Sequence, residues 1–259
     1  KRVIRITFDG GTEEGDLRFG PLNYVHPDPE GIIGTVSHLT IYGQNAVLSG
    51  PEGEEITLTD AEGRRNAVFS GGLRVTRNRL EAKGPDLAYS EETGIGAMTG
   101  NVAIVVAPEE EGDDPVNITA ESVDFDVDTD VSTSRGNVQL ENGNQSGTAN
   151  EVIYEEEREI AKMTPREGEQ VTLTRIDDDG NELTITADLI RPSTGDKKLH
   201  AIGNVTVVDG IIVSKGNEVF FNDEESTAEI IGNPATYDDG EGNQVSSGRI
   251  LQFTDTDDY

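Results

Sequence analysis

The chain has 259 residues, of which 33% are hydrophobic and only 5% aromatic, with 30 glycines and no cysteine. Its 51 acidic residues against 20 basic ones give a formal net charge of −31, which disfavours nucleic acid and anionic membrane surfaces as partners because both require a basic track. The lack of cysteine excludes disulfides and thiolate chemistry, and no apolar run approaches the ~20 residues of a membrane-spanning helix.

The first 79 residues are the least regular part of the sequence. Apolar and polar residues alternate at 39–42, 56–58 and 73–75, which indicates short strands, whereas the Gly- and Pro-containing stretch 19–24 indicates a loop. Terminal repeats of a repeat protein are usually atypical because they cap the array. We therefore interpret residues 1–79 as an N-terminal capping β region.

A short signature recurs in the rest of the chain. The tripeptide Gly-Asn-Val occurs at residues 100–102, 136–138 and 203–205, and a Gly-Asn-Pro variant follows at 232–234. The first glycines of these copies are 36, 67 and 29 residues apart. We interpret the long gap as two units whose middle signature is lost, with a degenerate unit at 149–155. Such self-similarity is typical of one supersecondary unit stacked several times.

Each unit has the pattern of a β-meander. An alternating run such as 123–127 leads through a turn to the Gly-Asn pair, and another alternating run such as 138–141 follows at once. Gly and Asn both tolerate positive φ, so the pair indicates a tight turn or a bulge. Residues 154–163 have a composition that favours helix, but they occupy a hairpin position, so we expect strands there. The pattern predicts an all-β fold, thin and elongated, with two layers.

Residues 107–115 are the one linker-like stretch, being rich in acidic residues, Pro and Gly. Because this stretch lies between strands of adjacent repeats, we interpret it as an extended acidic loop rather than a domain boundary. We therefore expect one continuous β domain, in which the capping region 1–79 leads directly into a repeat region at 80–259.

Candidate sites for chemistry are few. Carboxylates alternate along residues 124–130 as in a calcium loop, but the Gly and the final Glu of an EF-hand are missing, so we interpret the run as the solvated face of a strand. The Asp-Gly pair within 177–181 indicates a hairpin turn. His26, His38 and His200 have no companion at metal-ligand spacing. We predict no catalytic residue, no metal site and no cofactor.

The order of these motifs resembles the OstA-like repeat of the LptA family, periplasmic lipopolysaccharide-transport proteins with relatives in LptC and in the periplasmic part of LptD. The similar segments are 120–140, 187–207 and 218–234, with weaker similarity at 80–106 and 149–173, together about two thirds of the chain. The resemblance implies an elongated β-jellyroll of two sheets folded into a V around an apolar groove that holds lipid acyl chains. It also implies a periplasmic location, edge-strand pairing with other β-jellyroll transport components and possible head-to-tail self-association.

The candidate groove is lined by the inward members of the alternating runs. These residues are Val102, Ile104, Val106, Phe125, Val138, Leu140, Val152, Tyr154, Leu173, Ile185, Leu189, Val205, Val207, Val219, Phe221 and Ile230. For any one of them, ordinary core packing is the alternative to ligand contact. Charges are screened beyond ~8 Å at physiological salt, so an acidic exterior does not prevent an apolar interior from holding an anionic amphiphile.

We therefore expect a non-enzymatic carrier of lipopolysaccharide or a related amphiphilic envelope lipid, acting as part of an envelope-spanning bridge. If the protein is exported, its signal peptide is not part of this sequence, because residues 1–6 have basic character without an apolar core. Two alternatives remain open: a structural or adhesive β-repeat protein whose interior is merely packed, and a carbohydrate-active β-solenoid enzyme. Lipid that co-purifies with the protein would distinguish the first hypothesis from both alternatives.

Overall fold

The structure, a computed structural model, describes residues 1–177 and 179–254. These residues form strands, turns and loops but no helix, which confirms the predicted all-β class. Accordingly, this part of the chain contains no helix with the length and apolar character to cross a membrane. Asp178 of the predicted turn and the last five residues of the predicted repeat region lie outside the described residues.

The described residues form twenty strands. They are β1 Ile4–Ile6, β2 Thr12–Gly15, β3 Leu22–Val25, β4 Ile32–Val36, β5 Leu39–Tyr42, β6 Asn45–Ser49, β7 Asn66–Arg77, β8 Leu80–Ser90, β9 Ile95–Val106, β10 Val116–Asp126, β11 Val131–Asn142, β12 Gln145–Glu155, β13 Ile160–Thr164, β14 Val171–Ile176, β15 Glu182–Ala187, β16 Leu189–Ser193, β17 Lys198–Asp209, β18 Ile212–Asn222, β19 Thr227–Asp238 and β20 Gln244–Phe253.

The N-terminal strands are short, and two expectations for this region were wrong. The predicted loop at 19–24 contains the start of β3, which pairs with β2 and β6. The predicted strand at 56–58 does not form, because the chain enters a turn here in which the Thr57 hydroxyl donates to Asp60 at 2.6 Å and accepts from the Asp60 backbone N–H at 3.1 Å. Such local side-chain bonds compete successfully with a ladder in short segments.

The Gly-Asn signature is a bulge within a long strand, and not a turn between strands. Each of the 12-residue strands β7, β9, β11, β17 and β19 has glycine at its sixth position. These glycines are Gly71, Gly100, Gly136, Gly203 and Gly232. The registers of β17 and β19 with their neighbours shift at this position, as expected where a bulge bends a strand. The β7 copy, in which Gly71-Gly72 replaces Gly-Asn, escaped notice in the sequence.

The chain divides into two compact units, one of residues 1–107 and 118–135 and one of residues 108–117 and 136 onward. This division follows spatial compactness, and the predicted division at residue 79 by repeat pattern stays a prediction.

The bulges divide the long strands of the first unit between two layers. The first half of β7 pairs with β6, and its second half pairs with β5. The two layers face each other closely, since a Cβ atom added to Gly34 in β4 would lie 2.9 Å from Cε1 of Phe69 in β7. The predicted two-layer arrangement therefore arises from strands that bend at their glycines.

The second unit repeats this arrangement. Residues 145–148 of β12 pair with β14, whereas residues 151–155 of the same strand pair with β13. In β17, residues 198–202 pair with β16, and residues 206–209 pair with β15. In both units, we define the first layer as the residues of β7 or β17 that precede the bulge, together with the strand segments that pair alongside them. The remaining strand segments of the unit form the second layer.

The lost signature lies between β13 and β14, which together occupy one long-strand position. Residues 165–170 leave the sheet there and are held on both sides by neighbouring repeats. Arg166 donates to Asn150 at 3.1 Å and to Asn137 at 3.0 Å, and Gln170 donates to the Asn204 carbonyl at 3.0 Å. The 67-residue spacing spans two units, and this excursion lies where the middle signature is expected. The adjacent residues 154–163 form two paired strands, as predicted against their helical composition.

Candidate functional site

The interior between the layers is the candidate functional site. Fifteen of the sixteen predicted lining side chains are buried there, with at most 2% exposed: Val102, Ile104, Val106, Phe125, Val138, Leu140, Val152, Tyr154, Leu173, Ile185, Val205, Val207, Val219, Phe221 and Ile230. Their contact with a ligand stays a prediction. Because these side chains are so completely enclosed, an acyl chain reaches them only if the two layers of a unit move apart.

Leu189 differs from the expectation. It is only half-buried, and Ile190 points inward in its place. The reason is the break at Asp188 between β15 and β16, where the Asp188 carboxylate accepts a hydrogen bond from Asn204 Nδ2 at 2.7 Å. The extra residue at this break shifts the alternation by one position.

Polar contacts cluster on one side of each unit. The two layers of a unit are joined along the bulges. The ends of the strands therefore lie on the opposite side of the unit, and we call that side the mouth. At the mouth the first layer ends in four-residue turns, which are residues 91–94, 127–130, 156–159, 194–197 and 223–226. Several side chains of these turns bind the second layer.

In the first unit, Glu91 joins the layers at the mouth. Its side chain is fully buried, forms a 2.8 Å ion pair with Arg65 and accepts the backbone N–H groups of Ile4 at 2.8 Å and Gly63 at 2.7 Å. Burial acts to raise the pKa of the Glu91 carboxyl, but the hydrogen bonds from Arg65 and the backbone outweigh it, and the pKa lies below its ordinary value. The Ile4 contact fastens β1 to the turn that follows β8.

Arg77 crosses the same mouth further along the meander. Its side chain is fully buried, and its Nη1 donates to the Asp126 carbonyl at 2.6 Å. Its Nε lies 3.8 Å from Asp130 Oδ1, and its guanidinium carbon lies 5.8 Å from the ring centre of Phe125. An arginine that ends β7 in the second layer thus binds the end of β10 in the first.

The second unit repeats this geometry with Arg175. Arg175 Nε and Asp223 Oδ1 form a 2.6 Å ion pair in which the two side chains are only 12% and 11% exposed. The Arg175 guanidinium carbon lies 5.8 Å from the ring centre of Phe221. A neutral contact lies nearby on the same side, where the Ser214 hydroxyl donates to Gln252 Oε1 at 2.7 Å and both residues are buried.

Sequence reasoning missed these mouth residues, although the alternation contained a signal for the arginines. Arg77 follows the inward residues Leu73 and Val75 at period two, and Arg175 follows Val171 and Leu173 in the same way. No comparable signal distinguishes Glu91 from the other 50 acidic residues.

The acidic runs that could suggest metal binding are engaged in local structure. In the run 124–130, Asp124 pairs with Arg135 at 2.6 Å and Asp128 pairs with Arg2 at 2.6 Å. The Asp177 carboxylate accepts hydrogen bonds from the backbone and side chain of Asn181, as in a closed turn. Within residues 1–177 and 179–254, no three His, Asp or Glu side chains are placed to hold a metal ion together.

The last strand forms an edge of the sheet. Among the described residues, β20 pairs only with β19, through nine residue pairs. Val245, Leu251 and Phe253 are exposed on this strand. An edge strand of this length presents unpaired backbone groups to any further strand that approaches.

Comparison with known proteins adds two findings. A family model described as "LptA/(LptD N-terminal domain) LPS transport protein" matches residues 117–258, more than half of the chain. The crystal structure of LptH, the LptA homologous periplasmic component of the conserved lipopolysaccharide transport device from Pseudomonas aeruginosa, is similar over 53% of this chain and 94% of that chain, with 13% identity and a TM-score of 0.43. No curated protein matches the sequence.

Proposed function

We propose that this chain, which belongs to the LptA/(LptD N-terminal domain) family of lipopolysaccharide transport proteins, encloses the acyl chains of lipopolysaccharide or a related amphiphilic envelope lipid between its two layers. The observation that carries the proposal is the large set of buried, inward apolar side chains in the matched region, such as Val138, Ile185 and Val219. We further propose that the protein acts without catalysis, in the periplasm, as one part of an envelope-spanning bridge.

Acyl-chain burial supplies enough free energy for this role. Each buried methylene contributes roughly 0.8 kcal/mol, so a chain of about twelve carbons contributes up to ~10 kcal/mol before ordering costs. Part of this free energy would be spent on separating the layers, whose facing side chains are buried against each other. The glycine bulges are the natural hinge for that movement, because they are where each long strand already bends.

A tryptophan reporter tests the proposal directly, because the chain contains no tryptophan. We expect Phe221→Trp, at a position only 2% exposed in the interior, to lose at least half of its fluorescence when a brominated C12 fatty acid is added. Bromine quenches tryptophan only at close range, so strong quenching reports an acyl chain between the layers. The measurement is a fluorescence titration below the micelle concentration of the fatty acid.

The adjacent residue provides a matched control. Phe220 lies on the opposite face of β18 and is 43% exposed, so Phe220→Trp should show little quenching under the same conditions. Equal quenching of both variants, or of neither, would contradict acyl-chain binding in the interior.

The complete burial of the lining residues favours the second candidate, a structural β-repeat protein, and that function predicts no quenching of Phe221→Trp.

Bridge formation is proposed to use the β20 edge, to which a strand of another β-jellyroll component or of a second copy would add. Alternate residues of an edge strand direct their N–H groups toward the sheet and away from it. Ser246→Pro and Ser247→Pro each remove one of two adjacent N–H groups. The variant that loses the outward N–H should weaken self-association at least about tenfold and keep the melting temperature, whereas the variant that loses the N–H bonded to β19 should lower the melting temperature. Sedimentation velocity and thermal unfolding measure the two effects, and association unchanged in both variants would argue against the β20 edge.

A further inference from the structure

Two arginines occupy equivalent places in the two units. Arg77 and Arg175 each stand at the mouth end of the second layer, and each contacts the end of a first-layer strand, β10 for Arg77 and β18 for Arg175. Each guanidinium carbon lies 5.8 Å from the centre of a buried phenylalanine ring, that of Phe125 or Phe221. Each also approaches an aspartate in a four-residue turn of the first layer.

Stability alone does not explain these arginines. Removing an arginine and a carboxylate from water is so costly that apolar residues of similar size usually stabilise a protein equally well or better. The chain uses apolar residues at the preceding inward positions, for example Val75 and Leu173. A charged group that recurs at the same place in both units therefore calls for a function that an apolar residue lacks.

The location indicates which function that is. An amphiphile whose chain lies between the layers must keep its polar headgroup at the mouth, where the solvent begins. A guanidinium group presents a planar fork of donors that matches phosphate or carboxylate in a bidentate geometry. The aspartate that holds each arginine is itself an anion, so another anionic group can take its place without leaving the arginine uncompensated.

We propose that Arg77 and Arg175 are binding sites for the anionic headgroup, specifically the phosphate, of an amphiphile whose chain enters the interior. Asp223 lies 2.6 Å from Arg175 and Asp130 lies 3.8 Å from Arg77, and these contacts hold the two layers of each unit together at the mouth. Exchange of the aspartate for the phosphate opens the mouth and binds the headgroup in one step. This inference rests on the proposed function, since it requires that an acyl chain enters between the layers.

The test compares two C12 amphiphiles, dodecyl phosphate and the uncharged dodecyl maltoside, by calorimetric titration below their micelle concentrations. We expect the wild-type chain to bind dodecyl phosphate about tenfold more tightly than dodecyl maltoside. Asp223→Asn removes the competing carboxylate and should raise the affinity for dodecyl phosphate several-fold without a comparable change for dodecyl maltoside. Arg175→Gln should reduce the preference between the two probes, and Arg77→Gln combined with Arg175→Gln should abolish it.

Two further variants keep the result interpretable. Adding Asp130→Asn and Asp223→Asn to the two arginine substitutions leaves no buried charge at either site, so this variant should fold even if the arginine variants do not, and it should also lack the preference. The matched control is Arg249→Gln, which removes the arginine of an equally short 2.6 Å ion pair with Glu229 on an exposed side chain. This variant should bind both probes as the wild-type chain does.

The outcomes separate the inference from the function on which it rests. If the variants without both Arg77 and Arg175 keep the preference for dodecyl phosphate, or if Asp223→Asn raises the affinity for both probes equally, the arginine–aspartate pairs only hold the layers together and the headgroup sites are disproved. If neither probe binds to the wild-type chain or to any variant, the proposed lipid-binding function itself is wrong.

Discussion

Glu91→Ala is expected to lower the free energy of unfolding by about 3–5 kcal/mol, because it leaves a partly buried arginine without its counter-charge. The wild-type carboxylate pairs with Arg65 at 2.8 Å and accepts three backbone N–H groups, which include that of Ile4. In the variant, Arg65 and the three N–H groups would all lose their acceptor, and β1 would lose its hydrogen bond to the turn after β8. Urea denaturation followed by circular dichroism measures the change.

The control is an exposed ion pair of the same length. Glu54 pairs with Arg64 at 2.8 Å, but its side chain is 46% exposed, so Glu54→Ala should cost less than about 1 kcal/mol. A similar decrease in the free energy of unfolding in both variants would show that burial does not determine the contribution of Glu91.

The same site predicts how stability depends on pH. The pKa of Glu91 is lowered in the folded chain, so its stabilising contribution is complete above the ordinary pKa of about 4.5 and is lost as the pH falls through the folded pKa. We therefore expect the stability difference between the wild-type chain and Glu91→Gln to shrink progressively below about pH 4.5 and to stay constant from pH 6 to 8. A difference that grows on acidification would contradict this assignment.

Gly203→Ala is expected to cost about 3 kcal/mol, although it adds a single methyl group. Gly203 has φ +82°, where an alanine is strained by roughly 1–2 kcal/mol. Its added Cβ would also lie 2.5 Å from Asp188 Oδ2. Asp188 would have to move, which weakens the hydrogen bonds that it accepts from Asn204 and Gln170 and costs roughly 1–2 kcal/mol more.

Gly72 separates these two contributions. It has the same φ of +82°, but an added Cβ would meet no atom within 4 Å. Gly72→Ala should therefore cost only the backbone strain, roughly 1–2 kcal/mol, in the same urea experiment. If the two variants lost equal stability, the contact with Asp188 would be shown to contribute nothing.

Local pattern determined how much of this molecule could be predicted from sequence. Period-two alternation was sufficient to predict the strands and the burial of residues such as Val138 and Ile185, because each strand has one face against the interior. It failed at Leu189, where a strand break shifts the period, and at residues 56–58, where Thr57 bonds locally. Alternation also carries no information about which half of a long strand pairs with which neighbour.

The candidate site shows the same division between local and non-local information. Its apolar lining follows from alternation, whereas its polar mouth depends on contacts between residues far apart in sequence, such as Arg77 with Asp130 and Arg175 with Asp223. The sequence contains 51 acidic residues, and nothing local marks the few that meet an arginine across the layers. The resemblance to a family supplied the idea of a lipid ligand, which the residues alone could not.

The excursion at residues 165–170 shows how this architecture can change during evolution. It divides one long-strand position into β13 and β14, yet β12 remains in register with both pieces. An inserted segment therefore disturbs only its own position, while the neighbouring hairpins keep their pairing. Chains of this kind can gain or lose residues at a bend, and can duplicate whole hairpins, without passing through an unfolded ancestor.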